Sequence, residues 1–377
     1  MREVFVAGAG ITPFQKYEPG TGRQVASRIA ADVLREAGLT YSDVDGVWGG
    51  VALGASPRVV FVAKELGLTG VPVQHVTNAS ASGLAAVHEA KLAIQSGEHD
   101  LVLVLGYDIP DYQTSAEDAI ARQGFLPPVA LFGLWAAERA RQFGTSAQDL
   151  AAVAAKNWNF ARTNPRALRQ AESEVTPESI LASRTIAGML TSKMCTPWGD
   201  GAGALVLCTR EALSRLAPGT VVAQLAASVL QSEVYGSMHT FEGAVVGPRE
   251  MTERAAKKAF AAAGIEPSDV DLLQVHDAFA NEELEYIELL GFVAPGQADA
   301  LIHKGAFGPG SRKEFGLHEV STDGGLIGRG HASGATGIAQ IAETLRRFTT
   351  HDDSVGVCQL SGAGSVCIVQ VLRRIEL

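Results

Sequence analysis

The sequence predicts an α/β fold made of two copies of one unit, and three observations predict it. The segment Ala37-Gly-Leu-Thr-Tyr-Ser-Asp-Val-Asp45 is echoed by Ala263-Gly-Ile-Glu-Pro-Ser-Asp-Val-Asp271, 226 residues further on. Ser82-Gly83, which opens a helix running to Ser96, is echoed by Ser333-Gly334, which opens a helix running to Phe348, at an offset of 251. Around these echoes, amphipathic helices alternate with short apolar runs of strand length, the pattern of helices laid on the faces of mixed sheets. The two echoes come in the same order, which a duplication explains and chance hardly does. The larger second offset places extra residues between the helices of the second copy.

Taken along the chain, residues 22–37 and 250–263 carry apolar positions at helical spacing, and each helix stops at a glycine, Gly38 or Gly264. Apolar strands follow at 46–51 and 272–275. The run Val71–Val76 leads straight into the helix that starts at Ser82, and that helix is followed by a buried strand at Asp100–Gly106. Its counterpart after the second long helix is Ser354–Leu360. The copies join around residues 209–220, giving an N-terminal half at 1–220 and a C-terminal half at 221–377. Residues 108–192 fit neither copy. They carry Pro127-Pro128, polar turns and two helices near 129–143 and 147–160, and they read as a cap over one face, either a substrate lid or a packing elaboration.

Composition narrows the function. A chain of 377 residues, 46% hydrophobic, is long enough for two full cores. With 31 basic against 41 acidic side chains, a net charge of −10 and no Lys/Arg run, nucleic acid is not an expected partner. No apolar run approaches the ~20 residues of a membrane span, and no signal peptide is read, so the expected location is cytoplasmic. The four cysteines show no CxxC pattern and read as reduced thiols without a zinc or disulfide framework. The clusters Gly8–Gly10 and Gly201–Gly203 do not open a helix as a dinucleotide fingerprint would.

Chemistry concentrates at four turns. Ser80, in Asn78-Ala-Ser-Ala-Ser-Gly83, sits on a tight strand-to-helix turn, where a serine is either a helix cap or a group aimed at an anion-friendly helix start. The 251-residue offset maps Ser80 onto His331, in Gly330-His-Ala-Ser-Gly-Ala-Thr-Gly337, so a pseudo-two-fold would bring an imidazole to the hydroxyl as nucleophile and base. His276, in His276-Asp-Ala-Phe279, ends a strand and is placed to donate to an oxyanion. Cys358, before Ser361-Gly-Ala-Gly364, is either a proton-exchanging thiol or a small buried hydrophobe. The small residues of these turns, Gly330, Gly334, Gly362 and Gly364, are candidate substrate-binding positions because backbone there can approach a ligand closely. His88, His99, His303 and His318 read as structural or solvated, and Cys195 as packing.

With these turns in place the sequence resembles the thiolase superfamily, in particular its sterol-carrier-protein-like (SCP2-thiolase) branch. Asn78–Gly83 looks like the nucleophile loop, Asp200-Gly-Ala-Gly-Ala-Leu-Val-Leu207 like the strand closing the first half, His276–Phe279 like the oxyanion-hole motif, residues 324–337 like the catalytic-histidine loop, and Cys358–Gly364 like the second-cysteine loop. The resemblance implies a five-layered αβαβα sandwich of duplicated βαβαβαββ halves. It implies an acyl-CoA acyltransferase of the Claisen or retro-Claisen type, in which His276 binds the thioester oxygen, His331 activates the nucleophile and Cys358 exchanges the α-carbon proton. It further implies a homodimer or higher homo-oligomer, coenzyme A thioesters as substrates, and no metal or permanently bound cofactor.

Three departures stand out: Ser80 where the family carries the acylated Cys, Ala332 where a Pro follows the histidine, and Ser321 where an Asn is usual. Ser80 is accordingly a native nucleophile, a residue shaping a non-covalent aldol-type site, or an engineered replacement of a Cys. The alternatives to acyl transfer are a thiolase-like aldolase and a non-catalytic lipid-transfer or scaffold subunit, the latter acting with a small zinc-ribbon/OB-fold (DUF35-type) partner as some members of the branch do.

Overall fold

The computed structural model describes residues 1–52, 58–110, 128–234, 249–362 and 366–376. The first part of the chain forms β1 (Phe5–Ile11), α1 (Gly22–Glu36), β2 (Gly46–Gly50), α2 (Arg58–Leu66), β3 (Val73–Val76), α3 (Ser82–Gln95) and β4 (Leu101–Asp108). Then come α4 (Pro128–Phe143), α5 (Ala147–Arg162), the short α6 (Pro177–Leu181) and a hairpin of β5 (Thr185–Ala187) and β6 (Leu190–Thr191), before β7 (Gly201–Cys208). The remainder runs β8 (Val222–Ser232), α7 (Arg249–Ala263), β9 (Leu272–Gln274), α8 (Ala280–Leu289), α9 (Ala298–Ile302), α10 (Ser311–Phe315), β10 (Glu319–Val320), α11 (Gly325–Arg329), α12 (Ser333–Thr350), β11 (Val355–Gly362) and β12 (Val366–Arg374). Among the described residues, no helix is long and apolar enough to cross a membrane.

The strand order is β10-β9-β11-β12-β8-β1-β7-β4-β2-β3. Read outward from its middle, the order is the same on both sides: β1-β7-β4-β2-β3 matches β8-β12-β11-β9-β10 element for element. The two five-stranded parts join edge to edge where Phe5, Val6 and Ala7 of β1 pair with Gln224, Ala223 and Val222 of β8. Beyond Val6 the ladder of β1 is interrupted and its end pairs with β7 alone.

Three cores define the layers. Side chains of α1 and α2 pack on the outer face of the first sheet, through residues such as Val33, Val59 and Val62 against Leu103 and Val206. Those of α3 and α12 fill the space between the sheets, with Leu84 and Ile338 meeting Val104 and Leu205 on one side and Leu360 and Ile368 on the other. On the far side α5, α7 and α8 cover the second sheet, with Leu150, Phe260 and Leu284 against Val357 and Val369. This is the αβαβα sandwich that the resemblance implies.

The repeat survives at the level of single hydrogen bonds. Asp45 Oδ2 accepts the amides of Asp100 and Leu101, both at 2.9 Å, tying the strand-entry turn to the start of β4. Asp271 Oδ2 accepts those of Ser354 and Val355, at 2.6 and 3.0 Å, and does the same for β11. A carboxylate accepting two amides is worth more than a neutral bond, which accounts for an aspartate at the end of both echoed segments.

Between the sheets α3 and α12 lie against each other at their first turns. A Cβ at Gly83 would meet Gly334 O at 2.5 Å, and one at Gly337 would meet Leu84 N at 2.6 Å. Only glycine permits so close an approach. The amino ends of both helices therefore open onto one place, at the carboxyl ends of β3 and the segment after β9.

Candidate functional site

Ser80 and His331 meet at that place. Ser80 Oγ is 2.9 Å from His331 Nε2, although the residues are 251 apart in sequence. The turn that carries Ser80 contains Ala79 at φ 48°, a left-handed conformation costly for a residue with a Cβ. Its local hydrogen bonds are made by Ser82, whose Oγ accepts from Asn78 N at 2.8 Å and donates to Ala79 O at 2.6 Å. The N-cap of α3 is Ala81, with no side-chain cap. Ser80 is therefore not a helix cap; its hydroxyl faces the histidine.

The protonation of His331 follows from its other nitrogen. Nδ1 is 2.7 Å from Thr336 Oγ1, and that hydroxyl donates its hydrogen to Ala332 O at 3.0 Å. Thr336 can only accept from Nδ1, so the ring carries its hydrogen there and leaves Nε2 bare to accept from Ser80. Burial, with the His276 ring and the Arg329 guanidinium nearby, holds His331 well below the usual histidine range, so the ring is neutral near pH 7. The loop is fixed from two sides: Gly334 N donates to Asp108 Oδ2 at 2.6 Å, and Leu168 N donates to Arg329 O at 2.8 Å.

His276 stands next to this pair, its ring centroid 5.7 Å from that of His331 with the planes at 84°. Its backbone N–H donates to Gln359 Oε1 at 3.0 Å, and its Nδ1 lies 2.8 Å from Glu282 Oε1. Its Nε2 is buried without a partner among the described residues. The next residue, Asp277, turns away: its carboxylate accepts from Leu326 N at 2.8 Å and from Asn157 Nδ2 at 2.8 Å. Burial beside Glu283 pushes that carboxyl well above the usual range.

Cys358 is not brought to these residues. It points from β11 into the core between the sheets, where its Sγ lies 3.5 Å from Thr344 Oγ1. Four residues further along β11, Gly362 reaches the Ser80 loop, which puts Cys358 about 13 Å behind at ~3.3 Å per residue. Thr344 is likewise three turns into α12, about 16 Å from its start at 1.5 Å per residue. Burial pushes the Cys358 thiol up to about 12. The expectation of a proton-exchanging thiol is thus corrected to a buried core residue, because strand parity turns Gln359, not Cys358, toward His276. Cys195 is no substitute: its Sγ donates to Thr191 O at 3.3 Å, and burial pushes it up to about 12 as well.

The glycines are also used differently from expectation. The space a side chain would fill is taken by Asn78 O, 2.4 Å away, at Gly362, by Gly50 O, 2.3 Å away, at Gly334, and by Leu168 and Phe14 at Gly330. Each lets protein approach protein, with no room left at that atom for a ligand; Gly364 lies outside the described residues. His88, read from the sequence as structural or solvated, is on α3 in the middle layer and meets Ser228 Oγ at 2.9 Å. Thr336, Glu282 and Gln359 were not singled out from the sequence. Thr336 and Glu282 follow their histidines by five and six residues, Thr336 inside its histidine's loop and Glu282 just past Phe279, and that nearness is the one signal that could have found them.

Comparison with known proteins bears on the family and the fold. Residues 4–184 match the family model described as "Thiolase, N-terminal domain", and residues 237–366 match "Thiolase C-terminal domain-like". Human sterol carrier protein 2 is 29% identical over 367 residues, covering 91% of this chain; the chain spans 65% of that relative's length. An acetyl-CoA acetyltransferase of Methanothermobacter thermautotrophicus is 30% identical over 359 residues, covering 92% of this chain and 90% of the relative. Among solved structures, an Ltp2-ChsH2(DUF35) aldolase superposes with a TM-score of 0.84 at 23% identity, over 100% of this chain and 99% of the other, a likeness of fold.

Proposed function

The chain belongs to the thiolase family, and from that premise we propose that it makes or breaks a carbon–carbon bond beside the carbonyl of a coenzyme A thioester, with Ser80 in the place of the acyl-accepting nucleophile. The observation that carries the reading is the 2.9 Å contact of Ser80 Oγ with a histidine nitrogen that is bare because Thr336 holds the hydrogen on the other one. That is a hydroxyl paired with its general base.

One base suffices for cleavage. Ser80 Oγ attacks the 3-keto carbon of a 3-ketoacyl-CoA as its proton passes to His331 Nε2. The Cα–Cβ bond breaks, its electrons form the enolate of the shorter acyl-CoA, and His276 holds the thioester oxygen on which the charge collects. His331 returns the proton to Cα, leaving an acyl group on Ser80. Free coenzyme A then attacks this ester, its thiol proton passing through His331 to Ser80 Oγ. No step requires Cys358. The starting amides of α3 and α12 add a positive field where the enolate forms.

A second reading, retro-aldol cleavage, is favoured by the distance of Cys358 from the pair. There His331 takes the proton of a 3-hydroxyl group, the same bond breaks, and the enolate is again held by His276, with no bond to Ser80. Incubation with a 3-ketoacyl-CoA and, separately, with a 3-hydroxyacyl-CoA separates the two: an acyl adduct on the Ser80 peptide from the first supports acyl transfer, and cleavage of the second without adduct, retained in Ser80→Ala, supports the aldol route.

In the same reading the halves divide at 220/221, and the enzyme acts in the cytoplasm as a homodimer or larger homo-oligomer. The small zinc-ribbon/OB-fold protein remains a candidate partner, supported by the DUF35 component named with the aldolase of like fold.

A further inference from the structure

We propose that Glu282 retains a second proton in its pair with His276, so that His276 Nε2 carries a hydrogen and serves as a donor at neutral pH. For its consequence this rests on the function proposed above; for its test it does not.

The geometry poses the question. His276 Nδ1 faces Glu282 Oε1 at 2.8 Å, while Nε2 is buried, unpartnered among the described residues, on a ring 5.7 Å from that of His331. An imidazole with its single hydrogen on Nδ1 would offer the carboxylate that hydrogen and present a lone pair at Nε2. A lone pair there repels an enolate oxygen instead of binding it. The pair would also carry a full negative charge at a place where Glu282 has no solvent exposure, which is costly. With one more proton the pair is neutral overall, as imidazolium with carboxylate or as imidazole with carboxylic acid, and in both forms Nε2 bears a hydrogen.

The surroundings leave the pair to supply that proton. Glu282 Oε2 accepts from Phe279 N at 3.0 Å, a neutral donor. From α8 itself Tyr286 bonds to Glu282, and burial keeps its hydroxyl well above its usual range, hence neutral. From β12 the buried Cys367 thiol is pushed up to about 11 and is uncharged. His331 is neutral, Asp277 is bonded to α11 and Asn157, and the Arg329 charge is matched by Asp323. Burial raises the Glu282 carboxyl above its ordinary value, in the direction that keeps the extra proton. Glu282 is thus a positioning residue: it sets which hydrogen His276 shows to the substrate, and the donor is lost as pH rises and the pair gives up its proton.

The test is nitrogen-15 NMR of the full-length, unliganded protein labelled at histidine, with the His276 signals identified by their absence in His276→Asn. Nε2 is expected to be protonated at neutral pH and to lose its hydrogen in one alkaline step. In Glu282→Gln, the amide hydrogen donated to Nδ1 fixes the hydrogen on Nε2, and that step is expected to vanish. A bare Nε2 at neutral pH in the wild type overturns the proposal, as does an unchanged alkaline step in Glu282→Gln. Should the variant fail to fold, the wild-type titration decides alone. Because no substrate is present, the result stands apart from whether acyl transfer is the reaction. With 3-ketoacyl-CoA, kcat/KM of the wild type is expected to fall along the same alkaline step.

Discussion

Thr336 donates its hydroxyl to Ala332 O at 3.0 Å and accepts from His331 Nδ1 at 2.7 Å, so one threonine decides which nitrogen of His331 is left bare for Ser80. Thr336→Val keeps the shape and removes the acceptor. The expected effect is a fall in kcat of about tenfold, the value of one hydrogen bond of ~1.4 kcal/mol, with KM held and with recovery in Thr336→Ser. Unchanged kcat in Thr336→Val would mean that the tautomer is set elsewhere.

The acid side of the pH profile reports on the same ring. Burial and the neighbouring His276 and Arg329 depress His331, so the base stays unprotonated, and active, to well below the ordinary histidine value of 6.5. The plateau of kcat/KM is expected to extend below that value, with loss of rate only on further acidification. A half-maximal rate at or above it would place an ordinary, exposed histidine in the role.

His276 is expected to matter through its free nitrogen. Its replacement by Ala should lower turnover by roughly 10²–10³, the cost of one oxyanion donor, while circular dichroism and the unfolding midpoint stay near wild type. Turnover within a few-fold of wild type would remove His276 from the reaction.

Cys358 gives the opposite expectation. Cys358→Ala takes a sulfur from a closed core and should cost roughly 1 kcal/mol of stability, read as a lower denaturant midpoint, with kcat near wild type. A hundredfold fall in kcat would return the thiol to the chemistry.

The duplication was legible because its marks are local: Asp45 and Asp271 end the two echoed turns, and each bonds the strand beside it. The pairing of Ser80 with His331 was legible only through that repeat, since nothing near either residue announces a partner 251 positions away. The reading of Cys358 failed for a physical reason. β11 is covered by helices on both faces and is buried along nearly its whole length, Gln359 and Ser361 included, so it lacks the in–out alternation that would have told Cys358 from Gln359. The glycines misled in a related way: a small residue signals a close approach, and only the fold tells whether the approaching atom is Gly50 O or a ligand. Thr336 and Glu282 were hidden because each acts through a single hydrogen bond to a ring nitrogen, a relation that spacing alone does not reveal.

The central claim is that Ser80 accepts an acyl group, and intact-protein mass after mixing with a 3-ketoacyl-CoA tests it most directly. The expected result is a mass increase of one acyl group, mapped to the peptide containing residues 78–83, removed by added coenzyme A and absent together with turnover in Ser80→Ala. Full turnover in Ser80→Ala, with no adduct in the wild type, would contradict it.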